Sequence, residues 1–229
     1  MSVNKKWGSM KTKVIIFDFD GTLNKPNKLP NSWARIWDKI GCAQEDDRLY
    51  NLYANGELSY IEWCKKVIEV YKKENVSKEM LNDISKDTEL IDGVKDLFSL
   101  CNKNDIKIII LSGGIKNIIE YCLKDILHLV SHIEANELVY KDDKLKDITF
   151  TNSGVEDKSF FINKLMKENN LNKENIVFVG NASNDEDVYK AHIKTICINP
   201  YDAHFDNKKI WTHYIKECKN ILDIWKFIE

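Results

Sequence analysis

Three short runs of aliphatic residues constrain the fold of this chain more strongly than any other feature of its sequence. They are Val14 to Phe17, Ile106 to Leu111 and Ile176 to Val179, and each is followed by small, hydroxyl-bearing or acidic residues. Runs that are apolar throughout, rather than alternating, are typical of parallel strands buried on both faces. A fourth run, Thr195 to Ile198, has the same character. The chain is therefore expected to contain a parallel sheet that is covered on both sides.

Helical patterns alternate with these runs. They are Val94 to Asn102, Ile115 to Leu127 and Ser159 to Asn169. Strands that alternate with helices predict an α/β fold, here a Rossmann-like, doubly wound parallel sheet. Between Ile133 and Asn152 a hairpin is predicted, with its turn at Asp142-Asp143. Because ligands of such sheets bind beyond the carboxyl ends of the strands, the residues that follow each strand are the candidates for chemistry.

The interval from Asn31 to Lys86 interrupts this alternation, because it contains no convincing strand and has the pattern of consecutive helices. The candidate helices, with N-caps predicted at Ser32, Ser59 and Ser77, are Ser32 to Ile40, Glu45 to Tyr53, Ser59 to Lys73 and Ser77 to Ser85. Residues 25–86 are therefore predicted to form an inserted α-helical cap on a core of residues 1–24 and 87–229. Core packing is expected for the aromatic residues of the cap, Trp33, Trp37, Tyr60 and Trp63.

Composition excludes several classes of partner. The 34 Lys and Arg residues nearly balance the 36 Asp and Glu residues, and this net charge of -2 disfavours nucleic acid as a partner. No run is long enough to span a membrane. The six cysteines form no CxxC pair, which favours free thiols in a reducing compartment and a cytoplasmic protein. A small molecule is the expected partner, and the oligomeric state stays open.

Two carboxylates follow the first strand, in the sequence Asp18-Phe-Asp20-Gly-Thr. Alternate residues of an extended chain point to the same side, so both carboxylates are expected at one point of the sheet edge. Such a pair suits a divalent cation such as Mg²⁺, and one member could attack phosphorus as a nucleophile.

Two further segments carry polar groups at the same edge. Ser112-Gly113-Gly114 follows the second strand and precedes a helix, where a hydroxyl and free amides would bind an anion. The segment from Gly180 to Asp185 follows the third strand, and its amide and acidic oxygens could complete a metal site. Lys158, at the start of a helix, is poorly placed for the helix dipole, which suggests another role for it.

In this order, the motifs resemble those of the haloacid dehalogenase superfamily of phosphohydrolases. The resemblance covers residues 13–199, and the insert lies where that family carries a helical cap after its first motif. Within the superfamily, Ser112-Gly-Gly, Glu134-Ala-Asn-Glu-Leu and Asn184-Asp185 are most similar to the phosphoserine phosphatase-like branch.

The resemblance implies a role for each motif residue. Asp18 would form an aspartyl-phosphate, and Asp20 would be the general acid and base. Lys158 would neutralise the charge of the phosphoryl group. The implied phosphate-binding residues are Ser112, Gly113, Gly114 and Asn184, and the implied ligands of Mg²⁺ are Asp18, Asp20, Asn181 and Asp185. The expected function is Mg²⁺-dependent hydrolysis of a small phosphate ester.

Three positions depart from the resemblance. Asn181 stands where the family more often has an aspartate, which predicts weaker Mg²⁺ binding. Asn27 and Lys65 stand where phosphoserine phosphatases have an acid and an arginine that read the amino-acid part of the substrate, and this makes phosphoserine a doubtful substrate. Two alternatives therefore stay open: a catalytically weak phosphate-binding or regulatory protein, and a phosphotransferase of the same fold.

Overall fold

A mixed β-sheet forms the centre of the protein in the computed structural model, which describes residues 11–25, 28–151, 157–201 and 210–228. Its strands follow the order β4-β3-β2-β1-β5-β6-β7, and every neighbouring pair is parallel except β3 and β4. The strands are β1 Val14–Phe17, β2 Lys107–Ile115, β3 His132–Lys141, β4 Lys144–Thr149, β5 Ile176–Gly180, β6 Lys194–Ile198 and β7 His213–Ile215. The predicted α/β, Rossmann-like class is confirmed.

Helices cover both faces of this sheet. They are α1 Ser32–Lys39, α2 Ala43–Ala54, α3 Tyr60–Lys73, α4 Lys78–Lys86, α5 Val94–Lys103, α6 Lys116–Cys122 and α7 Lys158–Glu168, with 3₁₀ segments at Ser183–Ala191 and Ile221–Phe227. Alternate residues of β1 enter two different cores. Ile15 and Phe17 pack with α5, whereas Val14 and Ile16 pack with α7 and the segment from Ser183. Burial on both faces explains why the strand is apolar throughout.

A third core lies among α1, α3 and α4. Trp33, Trp37 and Trp63 are buried in it, as predicted from the aromatic pattern. This core also contains Ile115 at the end of β2, Ile118 of α6 and apolar residues of the β3–β4 hairpin. The helical insert therefore shares its core with the hairpin instead of enclosing one of its own.

Two local predictions in this region need correction. Ser32 was expected to cap the first helix, but the N-cap is Asn31, whose side chain accepts a hydrogen bond from the Ala34 amide. The predicted N-caps Ser59 and Ser77 are confirmed. The second strand was expected to end at Leu111, but it continues to Ile115 because β3 pairs with it beyond a shift in register.

The remaining predictions concern the hairpin, the cysteines and the helices. Asp142 and Asp143 form the hairpin turn, both with positive φ, and β4 ends before Asn152, which lies outside the described residues. All six cysteines are free thiols. No helix within the described ranges is both long and apolar enough to cross a membrane. Strand β7 was not predicted, because three residues carry too little pattern.

Candidate active site

A cavity of about 430 Å³ lies at the carboxyl ends of β1, β2 and β5. The sheet order places these three strands side by side, with β1 in the middle. Seven of the residues singled out from the sequence line this cavity: Asp18, Asp20, Ser112, Gly113, Gly114, Asn181 and Asn184. Segments distant in sequence therefore meet at the predicted edge of the sheet.

Lys158 and Asp185 complete this group of residues next to Asp18. The Lys158 ammonium lies 2.9 Å from Oδ1 of Asp18 and 2.5 Å from Oδ1 of Asp185, and all three side chains are buried. Asp157 caps the first turn of α7, so that Lys158 enters the sheet edge from the start of that helix. The three groups form one buried ionic cluster.

Burial and neighbouring charge have opposite effects in this cluster. Burial raises the pKa of Asp18 to about 7, and the Asp185 carboxylate adds to this, while the Lys158 ammonium opposes it. Burial alone would lower the pKa of Lys158, but attraction to the two carboxylates outweighs it and holds that pKa above its usual value. Lys158 is therefore cationic at neutral pH, beside a carboxylate that it stabilises in the ionised form.

Asp20 is held by the first turn of α1. The amide and the hydroxyl of Ser32 both donate to Oδ2 of Asp20, each at 3.0 Å, and Nη1 of Arg35 lies 3.9 Å from Oδ1. Burial raises the pKa of Asp20, while Arg35 and the bonds from Ser32 oppose the rise. A carboxyl group with a raised pKa suits proton transfer near neutral pH.

The main chain of Gly113 is fixed by two side chains. Its carbonyl oxygen accepts hydrogen bonds from Nε1 of Trp33, at 2.9 Å, and from Nδ2 of Asn136, at 2.8 Å. The Ser112 hydroxyl oxygen accepts from the Gly114 amide at 3.1 Å, which leaves its own proton to donate. These bonds orient the segment that the sequence predicted to bind phosphate.

Gly114 allows α1 and Asp20 to approach the end of β2 closely. A Cβ atom on this residue would lie 2.6 Å from the Ser32 hydroxyl oxygen and 2.7 Å from Oδ2 of Asp20. A side chain here would displace the Ser32 hydroxyl and the Asp20 carboxylate from their present positions.

The oxygen atoms in the cavity fit a hard divalent cation such as Mg²⁺. Candidate donors are carboxylate oxygens of Asp18 and Asp20 and the amide oxygen of Asn181, which accepts a hydrogen bond from Thr22. Both oxygens of Asp185 have other partners: Oδ1 meets Lys158, and Oδ2 accepts from the amides of Asn181 and Ala182. Across the described ranges, no three His, Cys, Asp or Glu side chains are grouped as a metal site. The donor set therefore suits Mg²⁺ but carries little negative charge.

The two arginines of the chain and the two positions that depart from phosphoserine phosphatases, Asn27 and Lys65, lie in different places. Arg48 pairs with Glu45 on the surface, and Lys65 is exposed. Asn27 lies outside the described residues. Arg35 is buried against Asp20, and Trp33 lines the cavity.

Several side chains at the site were missed by the sequence reasoning. They are Ser32, Tyr50, Asn136 and Tyr201, of which Tyr50 and Tyr201 line the cavity. The stretch Glu134-Ala-Asn-Glu-Leu marked the position of Asn136, but not its contact with Gly113.

Trp33→Phe is expected to weaken binding of inorganic phosphate by about threefold to tenfold, because it removes one hydrogen bond to the Gly113 carbonyl and keeps an aromatic ring. Isothermal titration calorimetry measures this directly. Trp63→Phe is the matched control, since the ring of Trp63 packs 5.1 Å from that of Trp33 and its Nε1 is buried without a hydrogen-bond partner. Equal phosphate affinity in the two variants would show that the bond to Gly113 has no effect.

Comparison with known protein families identifies the class of fold and site. The sequence model for haloacid dehalogenase-like hydrolases matches residues 12–192. The chain therefore belongs to the haloacid dehalogenase-like hydrolase family, and the predicted family is confirmed.

Curated relatives within this family are phosphoserine phosphatases. That of Wolinella succinogenes is 24% identical over 182 residues, which cover 77% of this chain and 82% of the relative. That of Methanocaldococcus jannaschii is 26% identical over 181 residues, which cover 79% of this chain and 82% of the relative. These matches support the predicted enzyme class, a phosphatase.

Solved structures share the fold. A phospho-aspartyl intermediate analogue of phosphoserine phosphatase superposes with a TM-score of 0.73 at 21% identity, over 95% of this chain and 99% of the other. A hydrolase of the family from Salmonella enterica serovar Typhi gives a TM-score of 0.76 at 19% identity, over 95% of this chain and 71% of the other.

Proposed function

We propose that this protein is a Mg²⁺-dependent phosphomonoesterase that hydrolyses a small phosphate ester. The observation that carries the proposal is the buried contact of Lys158 with Asp18 at a cavity that Asp20 and Ser112 also line. Nucleophile, cation, proton donor and anion-binding hydroxyl lie together there. The similarity to phosphoserine phosphatases supports the same reaction class.

In the first half of the reaction, the Asp18 carboxylate attacks phosphorus and forms an aspartyl-phosphate. The bond between phosphorus and the ester oxygen breaks, and Asp20 gives its proton to the departing alcohol. Lys158 offsets the negative charge that gathers between Asp18 and the phosphoryl group.

In the second half, Asp20 removes a proton from water. The resulting hydroxide attacks phosphorus, the bond to Asp18 breaks, and inorganic phosphate leaves. The proton taken from water replaces the one that Asp20 gave to the alcohol, so both carboxyl groups end in their starting states. The two hydrogen bonds from Ser32 keep Asp20 in place through both proton transfers.

Phosphoryl oxygens would be held by the Ser112 hydroxyl and the Gly113 amide. Asn136 and Trp33 act as positioning residues for this segment, because both bind the Gly113 carbonyl. Gly114 and Asn184 extend the same wall of the cavity.

Asp18, Asp20 and Asn181 would hold Mg²⁺, which when bound would add positive charge beside the phosphoryl oxygens. Asp185, which the resemblance implied as a fourth ligand of Mg²⁺, is proposed instead to position Lys158. Its two oxygens are engaged by that ammonium and by the main chain, which fixes the cation at Asp18.

The helical segment within residues 25–86 is proposed to act as the cap. Its first helix contacts Asp20 through Ser32 and the Gly113 carbonyl through Trp33. As a cap, this segment would help to exclude water from the aspartyl-phosphate.

Asn181→Asp is expected to bind Mg²⁺ about tenfold more tightly than the unmodified protein, because it adds a charged oxygen ligand near Asp18. Without Mg²⁺ the variant should unfold at a lower temperature, since a new carboxylate would be buried near Asp18. Calorimetry and thermal unfolding with and without Mg²⁺ test both effects. Asn184→Asp is the control, as it puts the same charge on an exposed residue of the same cavity. Equal responses of the two variants to Mg²⁺ would rule out Asn181 as a ligand.

Release of inorganic phosphate from a panel of phosphate esters, with and without Mg²⁺, tests the proposed function. Turnover that needs Mg²⁺ supports it. No turnover at any Mg²⁺ concentration would contradict it and favour a phosphate-binding or regulatory protein, for which the neutral Asn181 is the supporting observation. Transfer of phosphate to an added alcohol in preference to water would identify a phosphotransferase.

A further inference from the structure

Aromatic and uncharged polar side chains line the cavity outside the reacting groups. Trp33, Tyr50 and Tyr201 contribute aromatic surface, alongside neutral residues such as Asn31 and Ser183. Tyr50 is 56% exposed and Tyr201 61% exposed, and the ring of Tyr50 also packs edge-on with that of Tyr53. Among the lining residues that the structure describes, the charged ones are Asp18 and Asp20. The proposed reaction uses both.

The side chains of Arg35, Arg48 and Lys65 do not line the cavity. Nη1 of Arg35 donates to Thr88 at 2.9 Å and faces Asp20. Arg48 makes two hydrogen bonds to Glu45, at 2.8 and 2.6 Å. Lys65 is exposed and does not line the cavity. The described lining of the cavity therefore offers no cation to a carboxylate on the substrate.

These surroundings favour one kind of leaving group. An amino-acid ester brings a carboxylate, for which the described lining of the cavity offers no cationic partner, and removing a charge from water without a partner is unfavourable. A flat, uncharged ring loses little hydration and gains stacking contact with tyrosine and tryptophan. The cavity volume of about 430 Å³ also lies in the range of sites for ligands larger than an amino acid.

We infer that the substrate is a phosphate monoester of an uncharged alcohol that bears a flat ring, and that this ring stacks on Tyr50 and Tyr201. The inference rests on the proposed phosphomonoesterase function and specifies its substrate class. The main chain of Tyr201 is held next to the proposed Mg²⁺ site, because its amide donates to the main-chain carbonyl of Asn181 at 2.9 Å. Tyr50 lies on α2 and supplies the cap side of the site.

The first test compares kcat/KM for benzyl phosphate, cyclohexylmethyl phosphate and phosphoserine in the presence of Mg²⁺. All three are esters of primary alcohols, so their differences report recognition of the leaving group. The kcat/KM for benzyl phosphate is expected to be at least about tenfold higher than that for phosphoserine. It is also expected to be about threefold to tenfold higher than that for cyclohexylmethyl phosphate. Phosphoserine as the best substrate, or equal values for the two ring esters, would overturn the inference.

The second test examines the two tyrosines. Tyr50→Ala and Tyr201→Ala are expected to raise KM for benzyl phosphate by about threefold to tenfold more than they raise KM for phosphoserine. Tyr50→Phe and Tyr201→Phe should restore the normal KM, because they keep the ring. Tyr189→Ala is the control, since Tyr189 is 47% exposed and does not line the cavity.

The outcomes separate this inference from the proposed function. Hydrolysis of every ester with unaltered KM in the alanine variants would overturn the stacking role and leave the phosphomonoesterase function standing. Failure to release phosphate from any ester would overturn both.

Discussion

Asp18→Asn is expected to reduce kcat for any phosphate ester by at least about 10⁴-fold, because it removes the nucleophile on which both halves of the reaction depend. The amide has the same shape as the carboxylate but cannot form an aspartyl-phosphate. Phosphate release in a continuous assay measures the loss. Binding of inorganic phosphate should persist, since Ser112 and Gly113 are unchanged.

Two controls accompany this variant. Asp187→Asn makes the same chemical change at a partly exposed carboxylate that pairs with Lys190, and it should keep full activity. Asp20→Asn keeps the nucleophile and removes the proton donor, so slow formation of a phosphorylated protein is expected, detectable by intact-protein mass spectrometry. Normal turnover by Asp18→Asn would exclude Asp18 as the nucleophile.

Lys158→Met is expected to lower the free energy of unfolding by about 3–5 kcal/mol, in addition to abolishing turnover. It leaves Asp18 and Asp185 buried beside each other without their shared cation. Chemical denaturation at neutral pH measures the change.

Lys190→Met is the matched control for this loss. Lys190 also contacts two carboxylates, those of Asp157 and Asp187, at 2.8 and 2.6 Å. Lys190 lies at the surface, where water already screens such contacts. The unfolding curve of the Lys190→Met variant should therefore barely shift. An equal loss in the two variants would show that burial of the Lys158 cluster adds nothing to stability.

The sheet and the motif residues were predictable because their signals are local. A strand buried on both faces must be apolar throughout, and the residues that follow it must lie at its carboxyl end. Asp18, Ser112 and Asn181 therefore met in the cavity as their positions in the sequence implied.

The supporting contacts were not predictable, because they join segments that are distant in the chain. Ser32 has the local signature of a helix N-cap, yet its hydroxyl binds Asp20, and Asn31 caps the helix instead. The sequence around Gly113 resembled a turn between a strand and a helix. Pairing with β3 nevertheless extends β2 past Gly113 to Ile115. Trp33 resembled a core residue, and its bond to Gly113 spans 80 positions. Tertiary contact decided each of these cases.

The shared core of the helical insert and the β3–β4 hairpin limits how this protein can be re-engineered. Apolar residues of the hairpin, such as Leu138 and Ile148, are buried together with Trp37 and Tyr71 of the helices. If only the helical insert were replaced by the cap of a related protein, the new helices would pack against a hairpin that does not match them. The shared core would then be lost. The unit that can be transplanted is therefore discontinuous in sequence, and a working chimera must carry the hairpin along with the helices.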